Sequence, residues 1–78
     1  NKEEKLDGYV KIVSNTLSYR DKPTWSNDAI VGAAKKNEVF TVVGKILVSN
    51  TYMYKLKSGW YVNSLPQYVK FAKTTKEL

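Results

Sequence analysis

Trp25, Asn27 and Asp28 lie close together in the most polar stretch of the chain, Asp21 to Asp28, where no local apolar pattern calls for a large ring. An indole on a loop offers a flat apolar face and one N–H donor. That combination stacks on a sugar ring or a peptide plane at little entropic cost. Asn27 and Asp28 add hydrogen-bonding groups for a polar ligand, although Asn-Asp is equally ordinary turn chemistry. The plainer alternative for Trp25 is a loop anchor folded back over the rest of the chain. Just before the loop stand Tyr19, whose ring shares a strand face with Leu17, and Arg20, which alternates outward. Arg20 is placed either to fix the loop through Asp21 or Asp28, or to meet an anionic ligand. Tyr52, Met53 and Tyr54 form a second group. Alternation puts Tyr54 inside with Leu56 and makes Tyr52 and Met53 differ in exposure, so one of the set meets ligand, and Tyr52 is the candidate contact. Tyr61 and Asn63 form a third.

This inventory favours binding over catalysis. The 78 residues include no His and no Cys. A nucleophile would therefore need a Lys or carboxylate partner, yet the chain has no Ser-x-x-Lys spacing and no paired acids in a setting that would position them. The same absence removes disulfides and an ordinary zinc site, so no metal or cofactor is expected. Thirteen basic against seven acidic residues give a formal charge of +6, a field that draws the chain toward polyanions such as nucleic acid, anionic wall polymers or an acidic membrane surface. No apolar run reaches the roughly 18 residues of a membrane span.

The elements that must carry these residues are short strands. Residues 1–7 are charged and lack an apolar period, which reads as the tail of a linker; 8–72 make the folded unit and 73–78 a basic tail. Strand-like runs are Tyr9 to Val13, Leu17 to Arg20, Ile30 to Ala34, Val39 to Val43, Lys45 to Val48, Tyr52 to Lys57, Trp60 to Asn63 and Tyr68 to Phe71. Gly44 marks a bulge, a bend or the approach to a hairpin. Asn37 suits a left-handed turn, and Lys57-Ser58-Gly59 closes a hairpin. No segment carries a helical period over ten residues. The expected fold is all-β, a small barrel of five to seven short antiparallel strands whose closure pairs edges that would otherwise stay open. Phe40, Val42, Ile46, Leu56 and Val62 are its expected core.

Leu17-Ser18-Tyr19-Arg20, Pro23, Ile30-Val31-Gly32, Lys35-Lys36-Asn37, Tyr54-Lys55-Leu56, Gly59-Trp60 and Tyr68-Val69 occur in the order and spacing of the bacterial SH3 (SH3b) family, which the chain resembles from about Tyr9 to Phe71. It departs from the family pattern at Asn37, where Gly is usual, at Ser18 and Tyr19, where Asn and Val are usual, and at Met53, often Trp. The resemblance implies an SH3-like barrel attached to a peptidoglycan hydrolase, most like the C-terminal targeting module of a phage endolysin or a bacterial autolysin. Such a module anchors an upstream catalytic domain to the Gram-positive cell wall and cuts nothing itself. It also implies that Trp60 packs at the barrel end, leaving Tyr61 and Asn63 on the opposite, more exposed face.

The expected ligand is therefore the wall: peptidoglycan peptide or glycan, or an anionic secondary polymer. Trp25, Tyr19, Arg20, Asn27, Asp28, Tyr52, Tyr61 and Asn63 are the candidate contacts. The chain would act at the wall, with no membrane partner. Two other classes stay open: a basic barrel that binds nucleic acid, since Lys interleaved with exposed aromatics also serves that purpose, and a protein-interaction or self-association module.

Overall fold

Ser49 and Asn50 both take left-handed backbone angles, φ 49° and 70°. Two such residues in succession make the tight turn whose twist matches that of paired strands, so the chain folds back there into its longest hairpin. In the computed structural model, which describes residues 2–78, that hairpin joins β4 (Val39–Val48) to β5 (Thr51–Leu56), with Val48 opposite Thr51. The other strands are β1 (Glu3–Ile12), β2 (Thr16–Arg20), β3 (Ile30–Lys35), β6 (Tyr61–Asn63) and β7 (Val69–Ala72). All seven are antiparallel in one sheet, in the order β3-β2-β6-β5-β4-β1-β7. The described residues contain no α-helix, only single 3-10 turns at Asn27–Ala29 and Thr75–Glu77.

The sheet curls around one interior. Val10, Ile12, Leu17, Ala34, Val42, Leu56, Val62 and Val69 form a single buried cluster, and every strand contributes to it. The β1 strand is the hinge of this wrap, because Tyr9 to Lys11 pair with β4 on one side and β7 on the other. β3 and β7 end the strand order, and both give residues, Ala34 and Val69, to the one buried cluster. Asn37 adopts the left-handed turn its side chain suits, at φ 76°.

Gly44 is a bulge, and it decides which face each β4 side chain serves. Pairing with β5 jumps from Val42–Leu56 to Gly44–Lys55, leaving one extra residue on β4. An inserted residue reverses the in–out alternation beyond it. Val42 accordingly faces the main core, while Ile46 and Val48 join a second buried cluster with Met53 and Tyr61. Of the five expected core residues, Val42, Ile46, Leu56 and Val62 are buried, and Phe40 packs half-buried against the core.

The first strand begins earlier than the charge pattern suggests. Glu3, Glu4 and Lys5 lie opposite Ile46, Lys45 and Gly44, so Glu3 to Asp7 form the outer half of β1. Backbone pairing holds this segment, its side chains stay largely exposed, and the apolar period that would advertise a strand never develops. Asn1 lies outside the described residues. In the 73–78 tail, the Glu77 carboxylate accepts the backbone N–H groups of Lys73 and Thr74.

Candidate functional site

Tyr19 lies directly opposite Gly32 in the β2–β3 ladder. A Cβ at position 32 would stand 2.4 Å from the Tyr19 hydroxyl oxygen, so only glycine lets the phenol ring lie flat across β3. Three residues after Leu56, Gly59 turns the chain at φ 96°, a conformation in which a side chain would be strained. The Gly59 N–H reaches the Leu56 carbonyl, the Leu56 N–H reaches the Trp60 carbonyl, and Trp60 is set down before β6 begins. Its indole stacks on the Tyr19 ring with centroids 4.7 Å apart and planes 10° from parallel.

This pair lines a groove of about 190 Å³ together with the apolar Ala33, Phe40 and Leu56 and the polar Glu38 and Ser58. Trp60 is 39% exposed and lines the groove. Glu38 accepts the Lys35 backbone N–H through one carboxylate oxygen, and Ser58 Oγ accepts the Trp60 N–H at 3.4 Å. An apolar cleft with a few fixed polar groups in its lining has the make-up of a small-ligand or peptide site.

Trp25 sits on the other face of the sheet. It packs half-buried against Ile46, Val48, Met53 and Tyr61, and its Nε1–H donates to the Val48 carbonyl at 2.7 Å. The Arg20 guanidinium lies 5.5 Å from the Trp25 ring centroid and donates to the carbonyls of Ser26 (3.2 Å) and Trp25 (3.4 Å). Arg20 thus fixes the loop through backbone carbonyls and not through Asp21 or Asp28. Ser26 Oγ accepts the Asp28 N–H, and the Asp21 N–H reaches the Ala29 carbonyl, which closes the loop at its base. Asp28 edges a shallower polar depression with Lys22, Thr24, Ser26 and Ala29, and Asn27 is exposed beside it.

Tyr61 and Trp60 exchange the environments expected of them. Tyr61 is only 8% exposed, enclosed in the second cluster beneath Trp25, and Trp60 is the exposed ring. Simple alternation places Trp60 inside with Val62. Trp60 does lie on that side, with Tyr19, Phe40 and Leu56 of the main core, but it precedes β6 and stays 39% exposed, while the loop covers the face that Tyr61 occupies. Met53, in the same cluster, is fully buried. Asn63 is half-buried and spends its Oδ1 on the Leu65 N–H at 2.9 Å. Tyr52 stands at the far end of the β4–β5 hairpin, where Lys45 Nζ lies 4.5 Å from its ring centroid and its hydroxyl donates to Glu4 at 3.3 Å. The candidate residues therefore separate. Arg20, Trp25 and Tyr61 come together, Tyr19 joins a groove with Trp60, and Tyr52 stands apart from both.

The groove adds Glu38, Phe40 and Trp60, which the sequence reading did not nominate. One signal pointed to Glu38: it is the single acidic residue between positions 29 and 76. Two protonation equilibria are perturbed nearby. Burial raises the pKa of the Tyr54 hydroxyl above its ordinary value. The Lys55 ammonium is also raised, first by its hydrogen bond to Glu3, then by the charges of Tyr61 and Glu3, with desolvation opposing. The Lys55–Glu3 ion pair measures 3.1 Å and ties β5 to the outer half of β1.

No protein-family profile and no solved structure matches this chain. Among curated proteins it is similar to the N-acetylmuramoyl-L-alanine amidase BlyA of Bacillus subtilis (strain 168), at 30% identity over 76 residues. The match takes in 91% of this chain but only 21% of the amidase, so the chain spans about a fifth of that relative's length.

Proposed function

We propose that this chain is the non-catalytic cell-wall-binding module, of the SH3b type, of a longer peptidoglycan hydrolase, and that the parent is an endolysin of a phage that infects Gram-positive bacteria. The observation that carries the reading is the size of the shared region: a unit without a single His or Cys resembles one fifth of an amidase, too little to be the whole enzyme. A seven-stranded all-β unit with an open aromatic groove supports it. In this reading the module raises the effective concentration of the catalytic domain at its substrate by tethering. The positive charge steers it to an anionic wall, and contact is made through the Tyr19–Trp60 groove. Asp28 and Asn27 on the neighbouring loop supply a second, polar contact.

Sedimentation of the fluorescently labelled chain with purified walls tests this. Enrichment on Gram-positive walls, over Gram-negative sacculi and over a scrambled peptide of equal charge, is the expected outcome. Equal sedimentation with all three refutes it. Binding to single-stranded nucleic acid that collapses steeply with salt would point instead to a nucleic-acid module.

A further inference from the structure

The groove carries one charge, Glu38, and among the described residues no ion pair meets it. Glu38 is flanked in sequence by Lys35 and Lys36, in a chain of net charge +6. Yet the ion pair found among the described residues is Lys55–Glu3, and Glu38 receives only the Lys35 backbone N–H. Its carboxylate therefore belongs to the lining of an apolar cleft that Trp60 also lines.

A carboxylate and an indole face attract the same kind of group, a cation, through ion pairing and through the ring quadrupole. The apolar lining of Ala33, Phe40 and Leu56 suits the aliphatic stem that carries such a cation. A neutral glycan would leave the carboxylate without a charged partner. A phosphate polymer would be repelled by it.

We propose that the groove takes an aliphatic primary ammonium, the lysine-like side chain of a short wall peptide. The ammonium meets Glu38 and the face of Trp60, and the methylene stem lies over Phe40 and Leu56. The proposal rests on the cell-wall reading for the source of the peptide, and it narrows the ligand from the wall at large to its peptide component.

The test titrates the 15N-labelled chain with Nα-acetyl-lysine methylamide, with its norleucine and Nε-acetyl-lysine counterparts, and with an N-acetylglucosamine oligomer, following the Trp60 indole N–H. The lysine probe is expected to shift that resonance saturably and to bind more tightly than the two probes that lack the charge. Glu38→Gln keeps an acceptor for the Lys35 N–H. It should weaken the lysine probe roughly two- to fivefold, the range of an exposed charge pair, and leave the norleucine probe unchanged. Unaltered norleucine binding also shows that the groove remains folded. Equal affinity for lysine and norleucine, no effect of Glu38→Gln, or a Trp60 shift produced by the sugar alone overturns the proposal.

Sedimentation with purified walls separates the two readings. Lysine binding without wall binding removes the wall as the source and leaves the ammonium site standing. Wall binding that survives Glu38→Gln combined with Trp60→Phe overturns the groove and leaves the wall reading intact.

Discussion

Replacing Trp25 with Phe separates an anchored ring from a ligand-facing one. Phe keeps most of the apolar contact with Ile46, Val48, Met53 and Tyr61 but removes the Nε1–H that donates to the Val48 carbonyl at 2.7 Å. That bond is part-buried, so its loss leaves an acceptor with restricted access to water, at about 1 to 2 kcal/mol. In a domain of this size each kcal/mol moves the melting temperature by about 4 to 8 °C. Trp25→Phe should therefore lower Tm by roughly 5 to 15 °C and speed exchange of the Asp21 amide, whose hydrogen bond to the Ala29 carbonyl closes the loop. Affinity for purified walls, measured well below Tm, should change little, because the groove lies on the other side of the sheet. An unchanged Tm with wall binding lost would refute the reasoning. It would mean that the indole N–H serves a ligand and that the loop is held by other contacts.

Gly32→Ala should remove the Tyr19–Trp60 stack, since the added Cβ meets the Tyr19 ring at 2.4 to 2.8 Å; the aromatic near-ultraviolet dichroism should fall, with a stability loss of about 1 to 3 kcal/mol by urea unfolding. Met53→Ala empties a site with no solvent exposure and should cost about 2 to 5 kcal/mol in the same assay. Stability should fall as pH rises above about 10. Tyr54 holds its proton more tightly when folded than when unfolded, and so does Lys55, so both make the native state lose ground as the solution turns alkaline. Tyr54→Phe should reduce that alkaline loss, and an equal loss in variant and wild type would exclude Tyr54 as a source.

The strands were legible from residues 9 to 72, because each depends on local composition: β-branched runs, turn residues with their own backbone preference, and alternation over a few positions. Asn37, Gly44 and the Lys57-Ser58-Gly59 turn were placed by the same local logic. Residues 3–7 escaped notice because pairing with β4 holds them, and backbone hydrogen bonds leave no mark on side-chain pattern. The groove was half visible. Tyr19 stood out as a large ring where the family resemblance favours Val, whereas the same resemblance packed Trp60 at the barrel end and so kept it from the candidate contacts.

What the sequence by itself determined is the class of structure and the class of work: an all-β unit, cationic, rich in aromatic rings and without His or Cys. Tertiary structure decided which rings meet solvent. The Gly44 bulge reverses one strand's faces, Trp60 is left exposed ahead of β6, and the Arg20–Trp25 loop covers Tyr61. The bulge inverts an alternation of period two and the loop buries a face from far along the chain, so a local reading assigns the wrong exposure. The Tyr19–Trp60 stack thus joins two rings 41 positions apart, which no short window of the chain contains.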